Sequence, residues 1–204
     1  MVQQRKETAR RLYEIAETQA GFFTTKQAKA AGYAENTHPY HVRVGNWIRE
    51  HRGIYRLANF PQNGRPDLML WWLWSKNRDG VSQGVYSHET ALSLHDLTDL
   101  MPARLHMTVP KSFRRNSGIP RQLVLHYAEV PDRDTEVLHG VCVTRPLRTI
   151  VDLFHDGVVP VSTLRKALRE GLHRGVIRRS EVSATQQKLR DDKKTIQFLR
   201  NGVA

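Results

Sequence analysis

Two groups of side chains in this sequence have the types and spacing to do chemistry. The first is Ser87-His88-Glu89, followed by His95 and Asp96. On a helix His88 and His95 are about two turns apart and share a face. Imidazoles and carboxylates placed together are the raw material of a metal site. The wider ligand pattern is missing: there is no His-Glu-x-x-His string, and no second His or Cys cluster follows at metal spacing. The block reads better as structure, with Ser87 capping a helix and Glu89 near its positive end. No metal and no cofactor are expected.

The second group lies near the N-terminus. Thr25, Asn36, Thr37, His38, His41 and Arg43 are small, polar or cationic, and they flank two short helices. Asn pairs with adenine and Arg with guanine through bidentate bonds in the major groove. Thr25 and Thr37 suit phosphates, through their hydroxyls and nearby helix N-terminal amides. Placing Tyr40, Val44 and Trp47 toward the core leaves His38 and His41 facing out and Arg43 on the flank. For His41 a core or capping role stays open. Arg49, Arg52 and Arg56 follow in a hairpin and are candidates for contacts to DNA, each balanced against a role as a solvated cross-strand residue.

The charge balance agrees with a polyanion partner. The 204 residues hold 32 Lys and Arg against 20 Asp and Glu, a net charge of +12. Residues 1–62 carry 10 basic and 5 acidic side chains, residues 63–160 carry 11 of each, and residues 161–204 carry 11 and 4. Two basic ends therefore flank a neutral middle. In the C-terminal end, Arg165, Lys166, Arg169, Arg174, Arg178 and Arg179 form a second basic surface for DNA backbone or for an acidic protein partner. The one cysteine, Cys142, excludes a disulfide framework, and a reducing, cytoplasmic setting is expected. The longest apolar run, Leu68–Trp74, is far short of the roughly 20 residues that span a bilayer.

The elements that must position these residues follow from periodicity and punctuation. Leu12, Ile15 and Ala16 mark a helix over about 7–18 that Gly21 ends. Phe22-Phe23 reads as a very short strand. Thr24 or Thr25 caps a helix through Ala31, and Gly32 closes it. Asn36 or Thr37 caps a third helix with Pro39 in its first turn, ended by Gly45. Trp47 to Leu57 is a hairpin turning near Arg52-Gly53. That order is a winged helix-turn-helix. Asn59–Pro66 reads as a linker, so the first domain spans 1–62 and the second 63–204. In the second, Asp67–Lys76 is a buried helix with a tryptophan cluster that packs in the core. A helix at His88–His95 follows, then strands at His106–Val109, Leu123–His126 and Val137–Thr144. A basic loop fills 111–121, helices cover Pro146–Phe154 and Ser162–His173, and a last helix starts at Ser180.

Three strings carry a family resemblance: Trp47-Ile48-Arg49-Glu50-His51-Arg52-Gly53-Ile54-Tyr55-Arg56-Leu57, Tyr86-Ser87-His88-Glu89-Thr90-Ala91-Leu92-Ser93-Leu94-His95, and Val143-Thr144-Arg145-Pro146-Leu147-Arg148-Thr149-Ile150-Val151-Asp152-Leu153. In this order they resemble the AbiEi family of antitoxins, over roughly residues 8–185. The resemblance implies an α+β protein: an N-terminal winged helix-turn-helix followed by a mixed α/β antitoxin domain. It implies a type IV toxin–antitoxin system active in phage defence. In such a system the antitoxin represses its own operon at inverted repeats in promoter DNA and counteracts a nucleotidyltransferase-like toxin. Binding to inverted repeats implies a monomer or weak dimer that pairs on DNA.

Two alternatives remain beside that reading. One is an enzyme acting on the toxin. Asp96, Asp99, Asp132, Asp134 and Asp152 form no compact nuclease motif, and no phosphate-cradling glycine loop is present. Atypical kinases dispense with such loops, so that form of the alternative survives, although no catalytic residue is assigned. The other is a toxin-sequestering module with ancillary DNA binding.

Overall fold

The computed structural model describes residues 2–62, 64–116 and 118–203. Asn63, where the second domain was expected to begin, and Ser117 of the basic loop lie outside the described residues. The chain divides into two compact units, Met1–Gln83 with His139–Val141 and Gly84–Leu138 with Cys142–Ala204.

The first unit opens with helix α1, Val2–Glu17. It starts earlier than its apolar periodicity indicates, and surface charge laces its middle turns. Arg10 and Arg11 pair with Glu7, and Arg10 also with Glu14, at 2.8–2.9 Å. Strand β1, Phe22–Thr24, leads into α2, Thr25–Ala31. Thr24, not Thr25, is the cap. Its hydroxyl accepts from Gln27 N at 3.3 Å, and its own N–H donates to Gln27 Oε1 at 2.9 Å, a capping box. Gly32 ends α2 at φ +110, a conformation that costs a side chain with a Cβ.

A 3-10 turn, Glu35–Thr37, runs directly into α3, His38–Arg43. Neither expected cap operates there: the Thr37 hydroxyl donates back to Ala34 O at 2.6 Å instead. Strands β2, Trp47–His51, and β3, Ile54–Leu57, form the hairpin, and the sheet order is β1-β3-β2, antiparallel throughout. Leu12, Ala16, Phe23, Ala28, Ala31 and Trp47 make the core of this winged helix. Removing an aromatic such as Phe23 from it would cost about 3–5 kcal/mol. Helix α4, Pro66–Trp74, packs on β1 and β3 within the same unit. It buries Leu68, Met69, Trp71, Leu73 and Trp74, as a helix apolar on all sides must.

The second unit is a five-stranded sheet with helices. Its strands are β4, Val85–Tyr86; β5, Leu105–Val109; β6, Leu123–Tyr127; β7, Thr135–Leu138; and β8, Val141–Thr144. The order is β6-β5-β4-β8-β7, with β5–β6 and β4–β8 parallel and β4–β5 antiparallel. The expected single strand over 137–144 is a hairpin. His139 and Gly140 both take positive φ, +52 and +77, as a tight two-residue turn requires.

Helices α5, His88–Leu94; α6, Pro146–Asp156; and α7, Val161–His173, supply Leu92, Ile150, Leu153, Leu164 and Leu168 to a shared core. Pro160, not Ser162, occupies the cap position of α7. The last helical stretch is two helices, α8 over Arg179–Lys188 and α9 over Lys193–Val203. Phe198 and Leu199 of α9 complete the core.

Candidate nucleic-acid interface

The third helix decides which side chains of the winged helix face outward. Trp47 is the pivot. His41 stacks on it at 4.6 Å, and His38 and Tyr33 meet it edge-on at 5.2 and 4.9 Å. His38 is only 1% exposed, between Trp47 and Tyr55, and neither ring nitrogen has a hydrogen-bond partner. The expectation that His38 faces out is therefore corrected. The same rotation turns Tyr40, 52% exposed, and Val44 away from the core where they had been placed. Trp47 alone of that trio is buried. His41 is half-buried, bonds Asn46 Nδ2 through Nδ1 at 3.2 Å, and has its pKa lowered first by burial and then by His38. It is a packing residue with one exposed edge.

What α3 and its entry turn present instead is a stripe: Asn36, Pro39, Tyr40 and Arg43, all exposed. The spacing of three and four puts them on one helical face. The Arg43 guanidinium lies 5.8 Å from the centre of the Tyr40 ring, so the aromatic steadies the cation without neutralising it. Tyr40 is the residue that sequence reasoning missed on this face. The signal was the proline before it: a helix only six residues long has its first turn set by Pro39, and periodicity has too little length to fix the rotation. Thr37 is half-buried, with its hydroxyl committed to Ala34 O.

The hairpin sorts its three arginines. Arg49 on β2 and Arg52 at the turn are exposed, and neither makes an ion pair among the described residues. Gly53, at φ +74, lets the chain reverse tightly beneath Arg52. Gly53 O in turn accepts from the Thr25 amide at 2.9 Å and from its hydroxyl at 3.4 Å, which fastens the wing to the start of α2. Thr25 thus spends its hydroxyl on the wing. Arg56 is the correction. It is 5% exposed, and its Nε donates to Glu50 Oε1 at 2.8 Å, so it braces the sheet and is not free for phosphate.

In the second unit, the six expected basic residues do not act alike. Lys166 and Arg169 are exposed on α7, and Arg178 and Arg179 are exposed at the start of α8. Arg165 is half-buried with an unpartnered Nε. Arg174 donates to His95 O at 3.2 Å and Asp96 O at 2.8 Å, tying down the loop after α5. His88 and His95 are not brought together. His95 Nε2 bonds Thr144 O at 2.8 Å, and burial lowers its pKa. Ser87 does not cap α5; its hydroxyl bonds His88 Nδ1 and accepts from Thr108, both at 2.8 Å. Arg148 does pair with Asp152, at 2.8 Å, and also with Asp134 at 3.0 Å. Among the described residues no helix is long and apolar enough to cross a membrane.

Comparison with known proteins meets this geometry at its centre. Residues 10–58 match the family described as "Transcriptional regulator, AbiEi antitoxin". The match runs from the middle of α1 through β3, which is the winged helix. A search of curated proteins finds no match. Among solved structures, "Crystal structure of RV2827C protein from Mycobacterium tuberculosis" superposes with a TM-score of 0.54 at 13% identity, covering 80% of this chain and 66% of that one. The chain therefore spans just under two thirds of that protein's length, and at this identity the likeness is one of fold.

Proposed function

We propose that this chain, whose N-terminal region carries the AbiEi regulator module, is a DNA-binding antitoxin that represses its own promoter. The observation that supports it best is the outward stripe Asn36–Tyr40–Arg43 on a short helix beside an arginine-bearing wing. A six-residue helix with its preceding turn fits the major groove by its end. Asn36 and Arg43 offer the bidentate donors and acceptors that discriminate bases, while Tyr40 adds an apolar face and a hydroxyl. Arg49 and Arg52 then meet backbone phosphates, which adds affinity without sequence information.

The remaining parts of the reading rest on family kinship. The target is an inverted repeat in promoter DNA, occupied by two chains side by side. The counterpart is a toxin resembling a nucleotidyltransferase, met through the second unit. The exposed cations Lys166, Arg169, Arg178 and Arg179 suit an acidic protein surface or a further stretch of DNA.

Fluorescence anisotropy tests the core of this. The full chain is titrated with the duplex directly upstream of its gene and with a scrambled duplex, across a salt series. Preference for the upstream duplex that persists at physiological salt is the expected result. Equal, salt-labile binding to both would reduce the basic residues to a polyanion surface and overturn the repressor reading.

A further inference from the structure

The second unit gathers three histidines that lie far apart in sequence. His88 begins α5, His106 sits on β5 and His126 on β6. Parallel pairing sets Thr108 opposite His126, so His106 and His126 fall on neighbouring strands two residues out of step. Asp156 closes α6 beside them. The rings of His88 and His126 stack at 3.6 Å. The carboxylate of Asp156 reaches both, 3.2 Å from His88 Nε2 and 3.9 Å from His126 Nδ1.

Hydrogen bonding determines which nitrogens carry protons. Glu89 Oε2 lies 3.0 Å from His106 Nε2, and a carboxylate only accepts, so His106 Nε2 bears the hydrogen. His106 Nδ1 is then an acceptor, and it takes the hydrogen of His126 Nε2 at 3.1 Å. His126 Nδ1 is left as a bare lone pair aimed at Asp156. On the other side, Ser87 Oγ sits 2.8 Å from His88 Nδ1 and can accept its hydrogen, which frees the Nε2 lone pair. Two imidazole nitrogens with free lone pairs and a carboxylate then lie together, their ligating atoms all within 4.8 Å of one another.

We propose that His88, His126 and Asp156 bind a divalent transition-metal ion of the zinc class, with Glu89–His106 and Ser87 as the hydrogen-bonded supports behind the two imidazoles. Two nitrogens and one carboxylate are a borderline ligand set that hard cations do not prefer. Three protein ligands leave a position open for water or for a partner's side chain. A metal-ligating imidazole commonly donates its other N–H to a fixed acceptor, and here His106 Nδ1, itself held by Glu89, takes the His126 hydrogen. The His88 ring is buried, which disfavours the charged imidazolium and suits it to serve as a neutral ligand. Asp156 is exposed, which gives the ion an entry path and lets the carboxylate swing. Metal–nitrogen bonds of about 2.0–2.1 Å require the two stacked rings to tilt toward a common point. His88 also holds φ +53, an uncommon value for a residue with a side chain.

The test uses the full chain, freed of metal and of any affinity tag. Isothermal titration with zinc chloride should saturate at one ion per chain, and cobalt(II) should give visible d–d bands that zinc abolishes. His126→Ala and Asp156→Asn should each weaken binding by roughly a hundredfold, and Glu89→Gln by about tenfold through the lost support. His173→Ala, an exposed histidine elsewhere in the unit, should change nothing. Circular dichroism confirms folding, and Asp156→Asn keeps the shape of an exposed side chain should His126→Ala unfold. Zinc binding that is unaffected by Asp156→Asn, or equally lost in His173→Ala, would overturn the proposal, as would magnesium binding as tightly as zinc.

Discussion

Arg43, Arg49 and Arg52 in the first unit hold their charge out in solvent, without a carboxylate partner among the described residues, whereas His88, His106 and His126 in the second are gathered against one another and against Asp156 and Glu89. The first arrangement suits a large polyanion, because every unpaired guanidinium on the surface is attractive at long range and is desolvated only on contact. The second suits a small cation, because neutral lone pairs repel nothing and converge only where the chain has been folded to bring them. Even within the winged helix the contrast recurs. Arg52 and Arg56 are four residues apart in one hairpin, yet one is exposed and the other is buried on Glu50 at 2.8 Å. Residue type says little about role until the partner is known.

The largest expected effect breaks the exposed side of this contrast. Arg43→Ala with Arg52→Ala should weaken promoter binding by about 2–4 kcal/mol and lower the salt dependence by roughly one phosphate contact. Urea unfolding should be unchanged, since neither side chain holds the fold together. Unaltered anisotropy would mean that the stripe on α3 does not face DNA.

The braced side responds in the opposite way. Arg56→Ala should lower unfolding stability by about 2 kcal/mol, because it leaves Glu50 partly buried and unpaired. Arg49→Ala in the neighbouring strand should lower stability by less than about 0.5 kcal/mol. Equal losses in urea midpoints would erase the distinction between the two arginines.

A smaller effect tests how the interface is held in place. Thr24→Ala removes the capping box of α2 and should cost about 1 kcal/mol in stability. The smallest concerns pH. His95 is buried with its Nε2 on Thr144 O, and its pKa is lowered from 6.5 mainly by burial. The unfolded chain therefore binds this proton first as pH falls through about 6.5, and that binding destabilises the native state. Stability should decline as pH falls through about 6.5, and His95→Gln should flatten part of that slope. A wild-type slope identical to the variant's would show that His95 makes no contribution.

Much of the fold was legible from local signals. The order helix, short strand, helix, helix, hairpin follows from caps, glycines and apolar spacing, and the structure has that order from Val2 to Leu57. These are signals between near neighbours: Thr24 and Gln27 are three residues apart, and Gly32 and Gly53 act on their own backbone. Signals failed where length was short or the partner distant. The six residues of α3 permit more than one rotation, and Trp47, from the next element, chose the one that buries His38 and exposes Tyr40. The C-terminal end looked like one helix because Asp191-Asp192 lacks a glycine or proline break; the N-terminal cap at Asp192, whose carboxylate accepts from Thr195 N at 3.0 Å, separates α8 from α9.

The sequence by itself determined the charge imbalance, the winged-helix order and the location of the arginine-bearing hairpin. Those depend on composition and on contacts within a few residues. Only the tertiary structure decided that Arg56 belongs to Glu50, that Arg174 belongs to the loop after α5, and that His88 belongs with His126 and Asp156 and not with His95. Each of those pairings depends on which elements lie side by side. The β4–β5 and β5–β6 pairings together bring position 126 near position 88 across a sheet, and helical spacing has no means of expressing a neighbour that distant in the chain.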